Sequence, residues 1–270
     1  MDIWAPSYYA DFRCLADRCA HNCCIGWEID VDEETLEWYR RHSDIYEHIC
    51  LDGTPHFRLA EHDRCPFLND RNLCRLIIDH GEGALCQICR DHPRFRNFFE
   101  SRTEIGLGLT CETAVQLVLK NDFSLVKIDE DGEDAVFSPE EEDFFDYREA
   151  LLGKNVTEFV GLLPNVSVQQ TASFLRGLER LNEEWDAVLD TLDSRAERLA
   201  SIAIRDTVIA NRLFQYFLFR HLHTFGLAFC VFCTYVIMSI DHDTANIARL
   251  FSSEVEYSDD NLLATAEWIG

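Results

Sequence analysis

The sequence predicts a mainly α-helical protein with a loop-rich N-terminal cysteine module and one small β-hairpin. Three observations carry this expectation. Beyond residue 138, helix-start signals alternate with apolar residues spaced by three and four. Ten of the twelve cysteines fall between Cys14 and Cys111, in a stretch punctuated by irregular segments. Residues 123–137 set Phe-Ser-Leu-Val-Lys-Ile and Ala-Val-Phe on either side of an acidic glycine turn, a hairpin pattern.

In chain order, Asp32 opens a helix expected to run through Cys50, with acidic residues in its first turn. From Asp52 to Asn72 the chain turns irregular, as suits loops that carry ligands. After Cys111 the pattern becomes helical at once, through Lys120. The acidic turn of the hairpin marks the expected boundary between a cysteine-rich module, residues 1–122, and a helical region, residues 123–270; one compact domain containing both is the alternative. Ser138, Pro139 and Glu141 compose a capping box, and Gly153 closes that helix. Ser167 with Gln170 opens another, whose apolar stripe is Phe174, Leu178, Leu181, Trp185 and Val188. Further helices are expected from about Asp193 to His223, over Thr224–Ile240, and in two short C-terminal segments.

The 270 residues, 47% of them hydrophobic, suffice for a substantial core. A net charge of −25 argues against nucleic acid, because a phosphate backbone needs a basic face. It suits a cationic partner such as a lysine-bearing protein, and it also serves solubility alone. The start has neither a basic n-region nor an apolar h-region. The uncharged run Thr224–Ile240 is 17 residues long, at the lower limit for a membrane span, and reads as a buried core helix. The expectation is a cytoplasmic protein with no membrane and no nucleic-acid partner.

The cysteines are the informative residues. Cys14, Cys19, Cys23 and Cys24 form C-x4-C-x3-C-C; Cys65 and Cys74 bracket Pro66-Phe67-Leu68; Cys89 begins Cys-Arg-Asp-His-Pro-Arg; Cys111 stands in Leu-Thr-Cys-Glu. Buried packing accounts for one or two such residues, not eight in a loop-rich hundred. In a reducing compartment this density points to metal or iron–sulfur ligation, usually four thiolates per centre. Zinc and iron–sulfur remain open, as does which four share a centre. Adjacent Cys23 and Cys24 point apart in helix or strand, so both seldom serve one ion. Cys50, Cys230 and Cys233 read as core, and Cys86, three before Cys89, is ambiguous.

No dinucleotide fingerprint, P-loop, nucleophile elbow or H-E-x-x-H occurs. Gly106-Leu107-Gly108 lacks the third glycine. If the chain is an enzyme, the metal centre must therefore hold the cosubstrate or do the chemistry.

The order C-x4-C-x3-C-C-x-G-W (Cys14 to Trp27), Cys-Pro-Phe-Leu with Leu-Cys-Arg, Cys-Arg-x-x-Pro-Arg and Leu-x-Cys-Glu-x-Ala resembles the flagellin lysine-N-methylase family, among cysteine-cluster proteins described as zinc- or iron-chelating. A weaker match continues at Asn211–Phe217 and Ala248–Ser252. The resemblance implies a protein lysine N-methyltransferase with S-adenosylmethionine as methyl donor, a [4Fe–4S] cluster in the site, and a lysine of flagellin or another protein as acceptor. It implies metal ligation by Cys14, Cys19, Cys23, Cys24, Cys65, Cys74, Cys89 and Cys111; Cys86 is an addition to the pattern. Arg90, His92, Arg94 and Tyr216 are polar groups near the centre on this reading, and each reads first as structural. A non-catalytic zinc or iron module for metal delivery or redox sensing is the alternative.

Overall fold

The computed structural model describes residues 2–129 and 138–270. Among them the chain runs β1 (Asp2–Pro6), α1 (Glu33–Tyr39), α2 (Ser43–Tyr46), β2 (Ile49–Cys50), β3 (His56–Phe57), α3 (Arg75–His80), α4 (Gln87–Asp91), β4 (Arg94–Phe98), β5 (Arg102–Leu107), α5 (Glu112–Lys120) and β6 (Leu125–Asp129). It continues through α6 (Pro139–Leu152), α7 (Val168–Arg176), α8 (Glu183–Asp190), α9 (Thr207–Ser239), α10 (Thr244–Phe251) and α11 (Asp259–Ile269). The protein is mainly α, as expected.

Two compact units divide the chain: Met1–Phe12 with Phe95–Gly270, and Arg13–Arg94. The expected division after residue 122 places residues 1–12 and 95–122 differently. The acidic turn chosen as its marker lies in 130–137, outside the described residues.

The larger unit holds a four-stranded sheet in the order β4-β5-β1-β6. β1 pairs parallel with β5, Asp2 beside Arg102 and Trp4 beside Glu104, and antiparallel with β6, Pro6 beside Leu125. The sequence did not anticipate this sheet. Its strands are short, and short apolar runs acquire strand character only from long-range pairing. The smaller unit is thus an insertion between β1 and β4. Of the expected hairpin, the first arm forms β6 against β1; residues 130–137 lie outside the described residues. A two-residue antiparallel pair, β2 with β3, forms instead in the smaller unit.

Gly106 in β5 has a packing reason: an added Cβ would collide with the rings of Phe95 and Phe219. α5 begins directly after Cys111 and buries Ala114, Val115, Val118 and Leu119 on one face. α6 starts as read, with Ser138 Oγ accepting from the Glu141 N–H. Its capping box stays half-formed, because the Glu141 carboxylate accepts instead from the N–H groups of Glu100 and Ser101 in the β4–β5 turn. At α7 the reciprocal box of Ser167 and Gln170 is complete.

The single helix expected from Ser167 to Val188 is two helices. α7 ends at Gly177, and Asn182 restarts the chain as α8 by accepting from the Glu184 N–H at 2.8 Å. Two helix punctuators outweighed the continuous apolar stripe. The helix from Asp32 likewise stops at Tyr39, and Cys50 lies in β2 rather than at its end. The helix expected from Asp193 starts only at Thr207, where Asp206 caps the Ile209 N–H at 3.0 Å.

α9 is two buried arms meeting at Gly226, whose φ of 79° and ψ of 179° suit glycine alone. The break lies within three residues of the expected one between His223 and Thr224. Phe214, Phe217, Phe229, Phe232 and Val236 of α9 pack with Trp185, Phe251 and Leu189 in the main core. By length and composition α9 could cross a membrane, but 61% of its most apolar window is buried inside the fold. Cys230 and Cys233 are fully buried there, as expected of core cysteines.

Candidate metal centre

The unit Arg13–Arg94 has a small apolar core built on Tyr39, Ile45, Phe57, Phe67 and Leu76, and cysteines are part of it: Cys65 and Cys86 are buried, with Cys24, Cys74 and Cys89 packed against them. Local backbone pairing delivers these thiols. Ile25 bridges Arg64 antiparallel and the Cys65 N–H donates to the Cys24 carbonyl at 2.9 Å, setting the two cysteines side by side. The loop after Cys65 folds on itself, with Asn69 Oδ1 accepting from the N–H groups of Arg71 and Leu73 at 2.9 and 3.0 Å. A bridge between Leu68 and Cys74 returns the chain to the start of α3. Cys86 is the residue before α4, and Asp32 clamps that helix start by accepting from the Gln87 N–H at 2.8 Å while also capping α1. The Tyr39 hydroxyl donates to the Ala84 carbonyl at 2.7 Å beneath the same turn.

Electrostatics show which thiols share surroundings. The Cys24 thiol, donating to Cys23, holds Cys23 far below the usual thiol value, at about 4, and the His92 imidazole adds to this. Cys24 is pushed far up by the proton it keeps toward Cys23 and by burial, with Cys65 and Cys74 contributing charge repulsion. Burial raises Cys65 to about 11, and Cys74, Cys86 and Cys23 all act on it. Burial also raises Cys74. Cys89 donates to Cys86, lowering Cys86 and leaving Cys89 strongly raised, with Cys24 and Cys65 adding to the rise. Six thiols, at positions 23, 24, 65, 74, 86 and 89, therefore feel one another, and His92 faces Cys23.

Of the eight expected ligands, Cys23, Cys24, Cys65, Cys74 and Cys89 are in this group. Cys14 and Cys19 stand on the leading loop: Cys14 Sγ accepts from the Ala16 N–H at 3.4 Å, and Cys19 Sγ donates to the His21 carbonyl at 3.3 Å. Cys111 belongs to the larger unit, at the start of α5. Cys86, left ambiguous by the sequence, is in the group; its three-residue spacing from Cys89 was the available signal. Cys50 is half-exposed on β2, its Sγ 3.9 Å from Asp52 Oδ2, not a core residue. Arg90 is exposed, with its carbonyl accepting from the Arg94 guanidinium at 3.3 Å. Tyr216 is buried in the larger unit against Glu256 and Arg220.

Among the described residues, no three or more His, Cys, Asp or Glu side chains are arranged to hold a metal ion. The donor chemistry nonetheless fits a soft metal or an iron–sulfur cluster: six sulfurs and one imidazole gathered in one small unit. A bound cation inverts the sign of the burial effect, turning thiols with raised pKa into ligands.

No family model matches the chain, and no solved structure matches it. Over 131 residues, 44% of its length, it is 26% identical to the lysine-N-methylases of Salmonella choleraesuis and Salmonella typhimurium. The match takes in 33% of each of those relatives. Over the same share it is 25% identical to the flagellar biosynthetic protein FliU of Salmonella muenchen, of which 78% is matched. The chain is thus a distant relative, over less than half its length, of bacterial proteins named for lysine methylation and flagellar biosynthesis.

Proposed function

We propose that the chain is a cytoplasmic protein lysine N-methyltransferase of the flagellin lysine-methylase kind, using S-adenosylmethionine at a cysteine-ligated [4Fe–4S] centre. The observation that carries this reading is the grouping of Cys23, Cys24, Cys65, Cys74 and Cys89 in one small unit of a chain distantly similar to lysine-N-methylases. These residues would hold the centre. When bound, it supplies a Lewis-acidic metal able to grip the amino and carboxylate groups of the donor's methionine part. The chain's own contribution is a partly shielded setting, in which Cys65 is buried and Cys24, Cys74 and Cys89 pack against the small core that includes Tyr39, Phe57 and Phe67. Its acidic charge would draw in a lysine-bearing partner such as flagellin, whose ammonium must lose its proton before the nitrogen can attack a methyl group.

The test is to reconstitute the protein without oxygen, reduce it, and titrate S-adenosylmethionine while following paramagnetic resonance and calorimetric heat. A changed cluster spectrum with measurable heat is expected. Neither signal, in a sample of confirmed cluster content, overturns the methyltransferase reading and favours a non-catalytic zinc or iron module.

A further inference from the structure

We infer that Arg64 is a positioning residue for the candidate centre: it ties together the three chain segments that bring Cys24, Cys65 and Cys74, and Asn72 completes the tie. This rests on the reading of these cysteines as ligands. It names two residues that belong to none of the motifs carrying the resemblance.

The backbone of Arg64 pairs on two sides. It bridges Ile25, the residue after Cys24, and it bridges Ala60, whose N–H donates to the Arg64 carbonyl at 2.7 Å. The first pairing is the one that sets the Cys65 N–H on the Cys24 carbonyl at 2.9 Å. Beyond Cys65 the chain doubles back on itself. The Asn69 N–H donates to the Leu73 carbonyl at 3.0 Å, and the Arg75 N–H to the Phe67 carbonyl at 2.7 Å. This return sets the spacing of Cys65 and Cys74, and it is only as firm as its turn. The turn closes with the Asn72 N–H donating to the Asn69 carbonyl at 2.9 Å, with Asn72 in the left-handed region at a φ of 57°. The Arg64 side chain reaches across to this turn: Nη2 donates to the Asn69 carbonyl at 3.2 Å and to Asn72 Oδ1 at 3.1 Å. One residue thus holds the Cys24 segment by its backbone and the return to Cys74 by its guanidinium, with Cys65 next to it in sequence. A planar guanidinium fixes its acceptors by direction as well as by distance. Groups that orient metal ligands without touching the metal change affinity about 10–100-fold when removed.

The experiment titrates cobalt(II) as probe into the full chain, reduced and metal-free, and reads sulfur-to-cobalt charge transfer and the d–d bands. Arg64→Ala keeps every thiol but loosens their spacing. It should bind cobalt about tenfold more weakly at unchanged stoichiometry, with shifted d–d bands. Asn72→Gly should weaken binding in the same direction. Glycine suits the positive φ, so a role confined to the turn would leave that variant neutral or stabilised. Arg71→Ala removes the same charge from the same turn at an exposed residue, and should leave affinity unchanged. Wild-type affinity and bands in Arg64→Ala, or an equal loss in Arg71→Ala, overturns the positioning role while leaving the metal centre standing. A wild type showing no sulfur-to-cobalt charge transfer overturns the metal centre, and the positioning role with it. If Arg64→Ala does not fold, Asn72→Gly decides: wild-type affinity in that variant overturns the role.

Discussion

Tyr216 and Glu256, forty residues apart, meet inside the larger unit, the Tyr216 hydroxyl lying 3.0 and 3.1 Å from the two carboxylate oxygens. Glu256 ends a fully buried π-helical turn, Ser252–Glu256. It also accepts from His221 Nε2 at 2.7 Å and lies 3.3 Å from the Arg220 guanidinium. Arg220 in turn donates to Tyr216 at 2.7 Å and stacks over Phe95. The cluster is closed and charge-compensated, with one buried carboxylate against one guanidinium.

Its pH response follows. Burial alone would raise the Glu256 carboxyl, but Arg220 and His221 outweigh it and hold the group at about 2, against 4.5 unperturbed. A depressed carboxyl contributes stability that is fully present above its unfolded value and lost as pH falls toward its folded value. Unfolding free energy should therefore fall by about 3 kcal/mol between roughly pH 4.5 and pH 2. Glu256→Gln should flatten that part of the curve and destabilise the protein at pH 7 by about 3–5 kcal/mol, because Arg220 loses its counter-charge. Denaturant melts across pH check both; an unchanged acid limb in the variant would contradict the assignment.

Glu104 makes a second buried pair, its two oxygens 2.7 and 2.5 Å from the guanidinium of Arg148 on α6. Both residues are nearly fully buried, and Arg102 adds a further bond to Glu104 at 2.6 Å. Arg148→Ala should cost about 3–5 kcal/mol by breaking the two-bond buried pair and leaving Glu104 with Arg102 as its remaining cation. Replacing surface-exposed Arg205, whose ion pair with Asp241 is open to solvent, should cost under about 0.5 kcal/mol. Comparable losses in the two variants would refute the distinction.

Gly226→Ala isolates backbone strain. Nothing lies within 4 Å of the Cβ that alanine would add, so any loss must come from the positive φ. The expected destabilisation is about 1–3 kcal/mol, read from thermal melts. A neutral substitution would mean that α9 is continuous through residue 226.

Metal removal should act on the smaller unit. Metal-binding free energy becomes folding free energy where loops carry the ligands. Chelation, or Cys65→Ser and Cys74→Ser, should raise amide exchange across Arg13–Arg94 while leaving α9 protected. Cys50→Ser should do neither. If both ligand variants retain full metal content and unchanged exchange, these cysteines are not ligands.

Several features were legible in the residues alone, because they depend on neighbours in sequence. Ser138 before Pro139 and Ser167 with Gln170 each satisfy backbone N–H groups within one turn, so a few residues suffice to specify them. The buried character of Thr224–Ile240 followed from composition, and five of the sulfurs in the cluster from their density and motif order.

What only the tertiary structure decided involves partners far apart in the chain. β1 exists because β5 and β6 pair with it from a hundred residues away. The Glu256 cluster draws on α9 and on the π-helical turn after α10, and no local motif announces it. Cys86 is buried beside Cys65, with Cys24, Cys74 and Cys89 packed against the same small core as Tyr39 and Phe57, a grouping of residues more than sixty positions apart in the chain. Residue type fixes what chemistry is available; burial and long-range pairing select which of those residues meet.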